Sequence, residues 1–380
     1  MVLSCFPRLL ADVTPHAPDQ YDFRVLLFPV DFAFVAVIVL AVFRRRLGRL
    51  PAMAAVVLAT LALAWCFHPS LRGGQTLFRW AAVVAIVALV NRRSIPFLAG
   101  GWAVFESLLA IAQHLHGGPV GLAAVGESAL SFLRFGHALA PPGTLVHPYL
   151  LAGLGLLGGA VLANEARERR WLLVPAAVAV APVGFTYSRT ALLAVGLLLV
   201  CCAIARFPAA VLALAVGAGV PALVWHDGWV IRAQMSSSAT SPDQFDSARG
   251  AMVGQSVDFI KANPLTGVGP GRYVISLKDK HVSIAATFGP KPVHNLPLLA
   301  AAEGGVAAGL AMTALLLMAG YLAVRAGAMA TGIYVAFLPF CLLDHFAYTF
   351  PQGMVMLGLW LGAIATAGRR PRAVPVGSEA

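Results

Sequence analysis

Val25-Leu-Leu-Phe-Pro-Val-Asp-Phe-Ala-Phe-Val-Ala-Val-Ile-Val-Leu-Ala-Val-Phe43, followed directly by Arg44-Arg-Arg46, sets both the fold class of this chain and its orientation. The apolar run is close to the ~20 residues that a helix needs to cross hydrocarbon. The arginines behind it mark that end as cytoplasmic, because short basic links stay on the cytoplasmic side. Similar runs recur along the whole chain, which is 59% hydrophobic and only 11% charged, whereas a soluble domain is about a quarter charged. The short alternating segments of a β-barrel are absent. The expected fold is an all-α polytopic integral membrane protein, with residues 1–380 as a single transmembrane domain.

Alternation from residue 43 places the other spans. Residues 52–67 go outward, 77–90 return and 95–112 go outward again. Residues 113–143 then lie outside, with a short interfacial helix expected over 127–135. Residues 145–163 return, 171–187 go outward, 190–205 return and 207–225 go outward. A long external loop covers 226–294, and 296–324, 332–343 and 351–367 complete roughly eleven spans. Residues 2–10 are the candidate for a twelfth, shortened or interfacial. No cleaved signal peptide is expected at the N-terminus. The remaining basic links, Arg92-Arg93, Arg167 to Arg170 and Arg369-Arg-Pro-Arg372, all fall inside without adjustment.

That distribution also accounts for the net charge of +11. The arginines follow the positive-inside pattern and are not interleaved with aromatics in a soluble module, so nucleic acid is not an expected partner. Cys66, Cys201, Cys202 and Cys341 lie in or beside apolar segments, without metal-ligand or disulfide-framework spacing, and read as small packing residues. Gly153, Gly155, Gly158 and Gly159 suggest close helix packing. No internal repeat of the transporter kind is evident.

Four features gather on the outer face of this topology. Arg189, in Tyr187-Ser-Arg-Thr190, opens an outward-facing helix end. Two roles are open to it: a headgroup anchor, or an anion site where guanidinium, helix N–H groups and the hydroxyls of Ser188 and Thr190 converge. Arg249 precedes an amphipathic stretch that Lys261-Ala-Asn-Pro264 interrupts, and it is either a solvated loop charge or a second anion contact. Gly267-Val-Gly-Pro-Gly-Arg-Tyr273 is a turn that permits close backbone approach, and it is neither a dinucleotide fingerprint nor a P-loop.

His294, in Pro292-Val-His-Asn-Leu-Pro297, is the fourth feature. It is either a hydrogen-bonded structural histidine or a base poised near neutral pH. The other external histidines, His114, His116, His137, His147, His281 and His345, show no His-Glu-x-x-His pattern. Ser188 has no Gly-x-Ser-x-Gly elbow, which argues against a serine hydrolase. Asp243, Asp246, Asp258 and Asp279 form no close pair, and no ordered His/carboxylate cluster is evident, so neither metal nor cofactor is expected. A titratable imidazole beside guanidiniums at a water–lipid boundary suits an anionic, lipid-linked substrate.

In order, Gly143-Thr-Leu-Val-His-Pro148, Tyr187-Ser-Arg-Thr-Ala-Leu-Leu193, Arg249, Asn263-Pro-Leu-Thr-Gly-Val-Gly-Pro-Gly-Arg-Tyr273, and His294-Asn295 followed by Glu303-Gly304 resemble the O-antigen ligase and Wzy-type polymerase superfamily of bacterial envelope glycan transferases. The resemblance implies a C-type glycosyltransferase-like architecture of roughly 11–12 transmembrane helices in the bacterial inner membrane, with residues 226–294 forming a periplasmic loop that carries part of the site. It also implies a glycan donor on undecaprenyl diphosphate, and lipid A core or a growing glycan as acceptor. Arg189 and Arg249 would clamp the diphosphate, and His294 would orient or deprotonate the acceptor hydroxyl. Inversion without a metal follows, with Ser188, Gly269, Arg272, Tyr273 and Asn295 as secondary contacts. A ligase and a polymerase fit equally. A flippase for lipid-linked sugars would need charges along a mid-membrane path, for which Asp31 and Glu106 are the visible candidates.

Overall fold

Inside hydrocarbon an open-ended segment can pair every backbone N–H and C=O only as a helix, so the long runs of Ala, Leu and Val fold that way. The computed structural model describes residues 11–12, 26–27, 29–43, 48–123, 126–127, 132–237, 242–279 and 291–367. Helix α1 covers Pro29–Phe43, α2 Arg49–Phe67 and α3 Leu71–Leu89. A π-helical turn, Pro96–Gly101, runs straight into α4, Trp102–His116. Then come α5 (Pro148–Glu165), α6 (Leu173–Val180), α7 (Pro182–Phe185), α8 (Arg189–Ile204) and α9 (Pro208–Val224). The long loop is itself largely helical, with α10 (His226–Ser237), α11 (Pro242–Ala262) and α12 (Tyr273–Asp279). The last four are α13 (Leu296–Ala326), α14 (Ala328–Leu343), α15 (Phe346–Thr349) and α16 (Pro351–Ala367).

The protein is an all-α polytopic membrane protein. Among the described residues, Arg49–Phe67, Pro96–His116 and Leu296–Ala326 are each long and apolar enough to cross a bilayer. Pro208–Val224 with His226–Gln234 qualifies as one span bent by 73°. Shorter apolar helices, such as Arg189–Ile204 and Pro351–Ala367, stand at five more of the expected spans. The candidate twelfth span at residues 2–10 and the start of the chain lie outside the described residues.

One local expectation is corrected. Residues 127–135 do not form one interfacial helix: Leu133–Phe135 is a strand, paired antiparallel with Ala138–Ala140. The two-residue turn between them, Gly136-His137, begins with a φ of 62° at Gly136, which favours a tight hairpin over a helix. The expected span 171–187 is present as an apolar helical segment with a break at Ala181. Pro182 cannot donate to the turn before it, so α6 stops at Val180 and α7 restarts at Pro182.

Helices α5 and α16 form the centre of the bundle and are buried along nearly their whole length. The small residues of α5 bring backbones together: a Cβ on Gly155 would stand 2.4 Å from the Ala179 carbonyl oxygen. One on Gly158 would stand 2.3 Å from the Ala103 Cβ. Around this core, α8 packs on α14, α2 on α13, and α1 on α3. Asp31 of α1 accepts bidentately from Arg79 of α3, at 2.7 and 2.8 Å, so these two buried charges neutralise each other within the bundle.

Candidate active site

The motif loop is built into a break in a transmembrane helix. Gly305, inside α13, has φ 78° and ψ 176°, which interrupts the helical ladder. The stretch from Pro264 to Gly269 completes that ladder from outside. Val268 N–H donates to the Ala302 carbonyl at 2.9 Å and Gly269 N–H to the Glu303 carbonyl at 3.0 Å. Val306 N–H donates to the Pro264 carbonyl at 2.8 Å. Backbone groups freed at membrane depth are thus paired again by another segment. Contact this close excludes side chains on both partners. A Cβ on Gly305 would lie 2.4 Å from the Leu265 carbonyl oxygen, and one on Gly267 2.4 Å from that of Ala302.

Two buried carboxylates hold the motif segments. Glu303 accepts from Gly271 N–H at 2.8 Å, Tyr273 N–H at 3.2 Å and the Tyr348 hydroxyl at 3.0 Å. Glu106 accepts from Thr144 N–H at 2.7 Å, the Thr144 hydroxyl at 2.6 Å and Trp102 Nε1 at 3.2 Å. Gln113 adds a reciprocal pair with the Gly143 backbone, both bonds at 3.0 Å. The Gly143–Pro148 segment is therefore pinned just before His147 caps α5, where its Nδ1 accepts from Tyr149 N–H at 3.1 Å.

A set of cations converges around the start of α5. The guanidiniums of Arg232, Arg249 and Arg189 and the carboxylate of Asp344 all lie within electrostatic reach of the Tyr149 phenol. Arg249 and Lys291 act in the same way on His294. His294 is half-buried, and its ring meets that of His345 edge-on with centroids 4.9 Å apart. Burial first, then the positive charges of Arg249 and Lys291, lower the His294 pKa to about 4. Burial, followed by His294, His147 and Lys291, holds His345 well below the ordinary imidazole range. Asp344 is pushed up to about 6 by burial, against the N–H groups of His345 and Phe346 and the charge of Arg249. The resting site thus presents neutral imidazoles among fixed guanidiniums, an arrangement that attracts an anion and leaves a ring nitrogen free to take a proton.

Residues 171–313, which include Arg189, Arg249 and His294, match the family model described as O-antigen ligase. That stretch is similar to O-antigen ligases. The match covers less than half of the chain. Among curated proteins, none matches it.

The other candidate residues have visible structural tasks. Ser188 caps α8, its Oγ accepting from Ala191 N–H at 3.3 Å. Tyr187 before it has a φ of 54°, an uncommon conformation for a bulky side chain, and is held by Phe135 and Trp229 with ring centroids 5.5 and 5.6 Å away. That turn sets Arg189, which is exposed, at the first position of α8. Asn295 caps α13: its Oδ1 accepts from Leu298 N–H at 2.9 Å and its Nδ2 donates to the Leu342 carbonyl at 3.2 Å. The buried Tyr273 hydroxyl bonds Ser256 at 2.8 Å and the Met252 carbonyl at 3.1 Å. Gly269 packs on His68, where a Cβ would lie 2.7 Å from the His68 Cβ. Arg272 is half-buried in the same turn.

One sequence-based expectation fails here. Potential ligand atoms of His294, Asp344 and His345 lie within 4.8 Å of one another, so an ordered His/carboxylate cluster does exist. It was invisible because fifty residues of chain separate its members and α13 and α14 must fold back to unite them. Asp344, Lys291, Arg232 and Tyr149 also belong to this neighbourhood and carry no motif of their own. The available signal was the one that marked Arg189: a polar residue at the outer end of an apolar segment.

Proposed function

We propose that this protein transfers a glycan from undecaprenyl diphosphate to an acceptor hydroxyl at the periplasmic face of the bacterial inner membrane, as an O-antigen ligase does. The observation that carries the reading is that Arg189 and Arg249 both lie within electrostatic reach of Tyr149, and Arg249 also within reach of His294 and Asp344. Arg189 and Arg249 bind the donor diphosphate, and their charge stabilises the leaving group as the bond from the anomeric carbon to the phosphate oxygen breaks. His294 accepts the proton of the acceptor hydroxyl while that oxygen attacks the anomeric carbon from the opposite side, which inverts the configuration. Lys291 and Arg232 add to the positive field, and Arg232 is itself held over the Phe135 ring at 5.1 Å.

The reaction is proposed to run without a metal. His294, Asp344 and His345 have donor chemistry suited to a divalent ion, but Arg249 acts on two of the three and Lys291 on both imidazoles. Such surroundings disfavour a further cation and favour an anion. A flippase is less well supported, since Asp31 is locked to Arg79 and Glu106 to Thr144.

The test is transfer by the purified protein from a polyprenyl-diphosphate glycan to lipid A core. Product with inverted configuration is expected. Movement of the lipid across a bilayer without transfer would identify a flippase. Accumulation of single repeat units in a deletion strain, in place of carrier-linked polymer, would identify a polymerase with the same site.

A further inference from the structure

At the other end of α5 from His147, about 27 Å away at the rise of an 18-residue helix, lies a second site with no part in the chemistry above. A cavity of ≈ 830 Å³ opens between the π-helical turn Pro96–Gly101, the last turns of α5 and the start of α6. Its volume is within the range of about 300–1,000 Å³ typical of ligand pockets. Phe97, Val104, Leu162 and Pro175 give it apolar walls, while Arg93, Arg169 and Trp171 stand at its mouth. These arginines belong to the links that the charge pattern places on the cytoplasmic side.

We propose that this groove binds an anionic glycerophospholipid of the cytoplasmic leaflet, with its phosphate on Arg93 and Arg169 and an acyl chain against the apolar walls. The proposal does not depend on the transfer reaction.

Charge complementarity selects the headgroup. Arg92 is already paired with Glu168 at 2.5 Å and Glu165 at 3.5 Å. The exposed side chains of Arg93 and Arg169 have no partner among the described residues, so the mouth keeps a positive surplus. Basic pockets between transmembrane helices on the cytoplasmic side are a recurrent means of holding acidic headgroups. Trp171 and Phe97, 67% and 77% exposed, flank the opening at the depth where aromatic rings favour the interface.

The two adjacent glycines of the π-helical turn point to a tail. A Cβ on Gly100 would lie 2.7 Å from Leu162, so helix packing accounts for that glycine. A Cβ on Gly101 would meet nothing within 4 Å, although Gly101 lines the cavity. Packing therefore does not require a glycine there, and its lack of a side chain keeps the groove open. The wide π turn, of a kind frequent at functional sites, adds to that opening.

The experiment uses native mass spectrometry and thermal shift on the full chain in detergent, with added phosphatidylglycerol or phosphatidylethanolamine. Phosphatidylglycerol should be retained roughly fivefold better, the preference expected from the one positive charge left when three arginines face two glutamates. The double variant Arg93→Gln, Arg169→Gln should lose that preference and keep the weaker, charge-independent binding. Gly101→Leu should lose retention of both lipids, with its melting point in detergent alone unchanged. Equal retention of the two lipids by the wild-type chain would overturn the proposal whatever the variants do. So would displacement of phosphatidylglycerol by undecaprenyl phosphate at equal concentration, which would assign the groove to the carrier's tail.

Discussion

The Glu303 carboxylate accepts the backbone N–H of Gly271 at 2.8 Å across 32 residues of sequence. It thereby fixes the motif loop to α13, whose N-terminal cap Asn295 directly follows His294. Removing the carboxylate leaves the N–H groups of Gly271 and Tyr273 without their acceptor, and an unpaired buried donor costs about 1–3 kcal/mol. Glu303→Ala is therefore expected to lower the melting point by several degrees and expose the loop to proteolysis. Glu303→Gln, which keeps one acceptor oxygen, should lie between. Wild-type stability in both would show that the loop is held by other contacts.

His294→Ala should reduce transfer about 10²–10⁴-fold without loss of expression or helicity, the usual cost of removing a general base. Steady-state rates on protein matched by size-exclusion profile measure this. Near-normal turnover by a well-folded variant would remove His294 from the mechanism.

The lowered pKa of His294 predicts a distinctive pH profile. Below about 4 the imidazole of the free protein is protonated and cannot accept a proton, so kcat/KM should fall as pH drops through that value. A bound diphosphate offsets the charges of Arg249 and Lys291 and favours the imidazolium. The acid limb of kcat should therefore lie at higher pH than that of kcat/KM. Arg249→Gln removes one positive neighbour, so an NMR titration of His294 in that variant should show a higher pKa. An unchanged or lower value would sink the electrostatic account.

Arg189→Lys and Arg249→Lys should each lose about 10²–10³-fold in kcat, although charge is retained, because lysine cannot reproduce a bidentate guanidinium–phosphate contact. If both lysine variants turn over normally, the two arginines serve as interfacial anchors only.

Transfer should survive excess EDTA, with initial rates matching samples resupplied with Mg²⁺ or Mn²⁺. A large loss that either metal restores would instead make His294, Asp344 and His345 ligands of a working ion.

The sequence by itself determined the all-α membrane class and the approximate position of most apolar helices. Hydrocarbon leaves the backbone no other way to pair its polar groups, and arginine clusters record orientation locally. Local signals also marked Arg189 and His294, since each is a charged or titratable side chain next to an apolar run. Only the tertiary structure decided which groups share a site. Asp344 and His345 reach His294 because α13 and α14 fold back on each other, and Arg232 reaches Tyr149 because α9 and α10 meet at a 73° bend. It also gave Ser188, Asn295 and Tyr273 structural tasks as caps and pillars. A side chain's hydrogen-bond partners are set by packing between segments distant in the chain, and no local pattern encodes them.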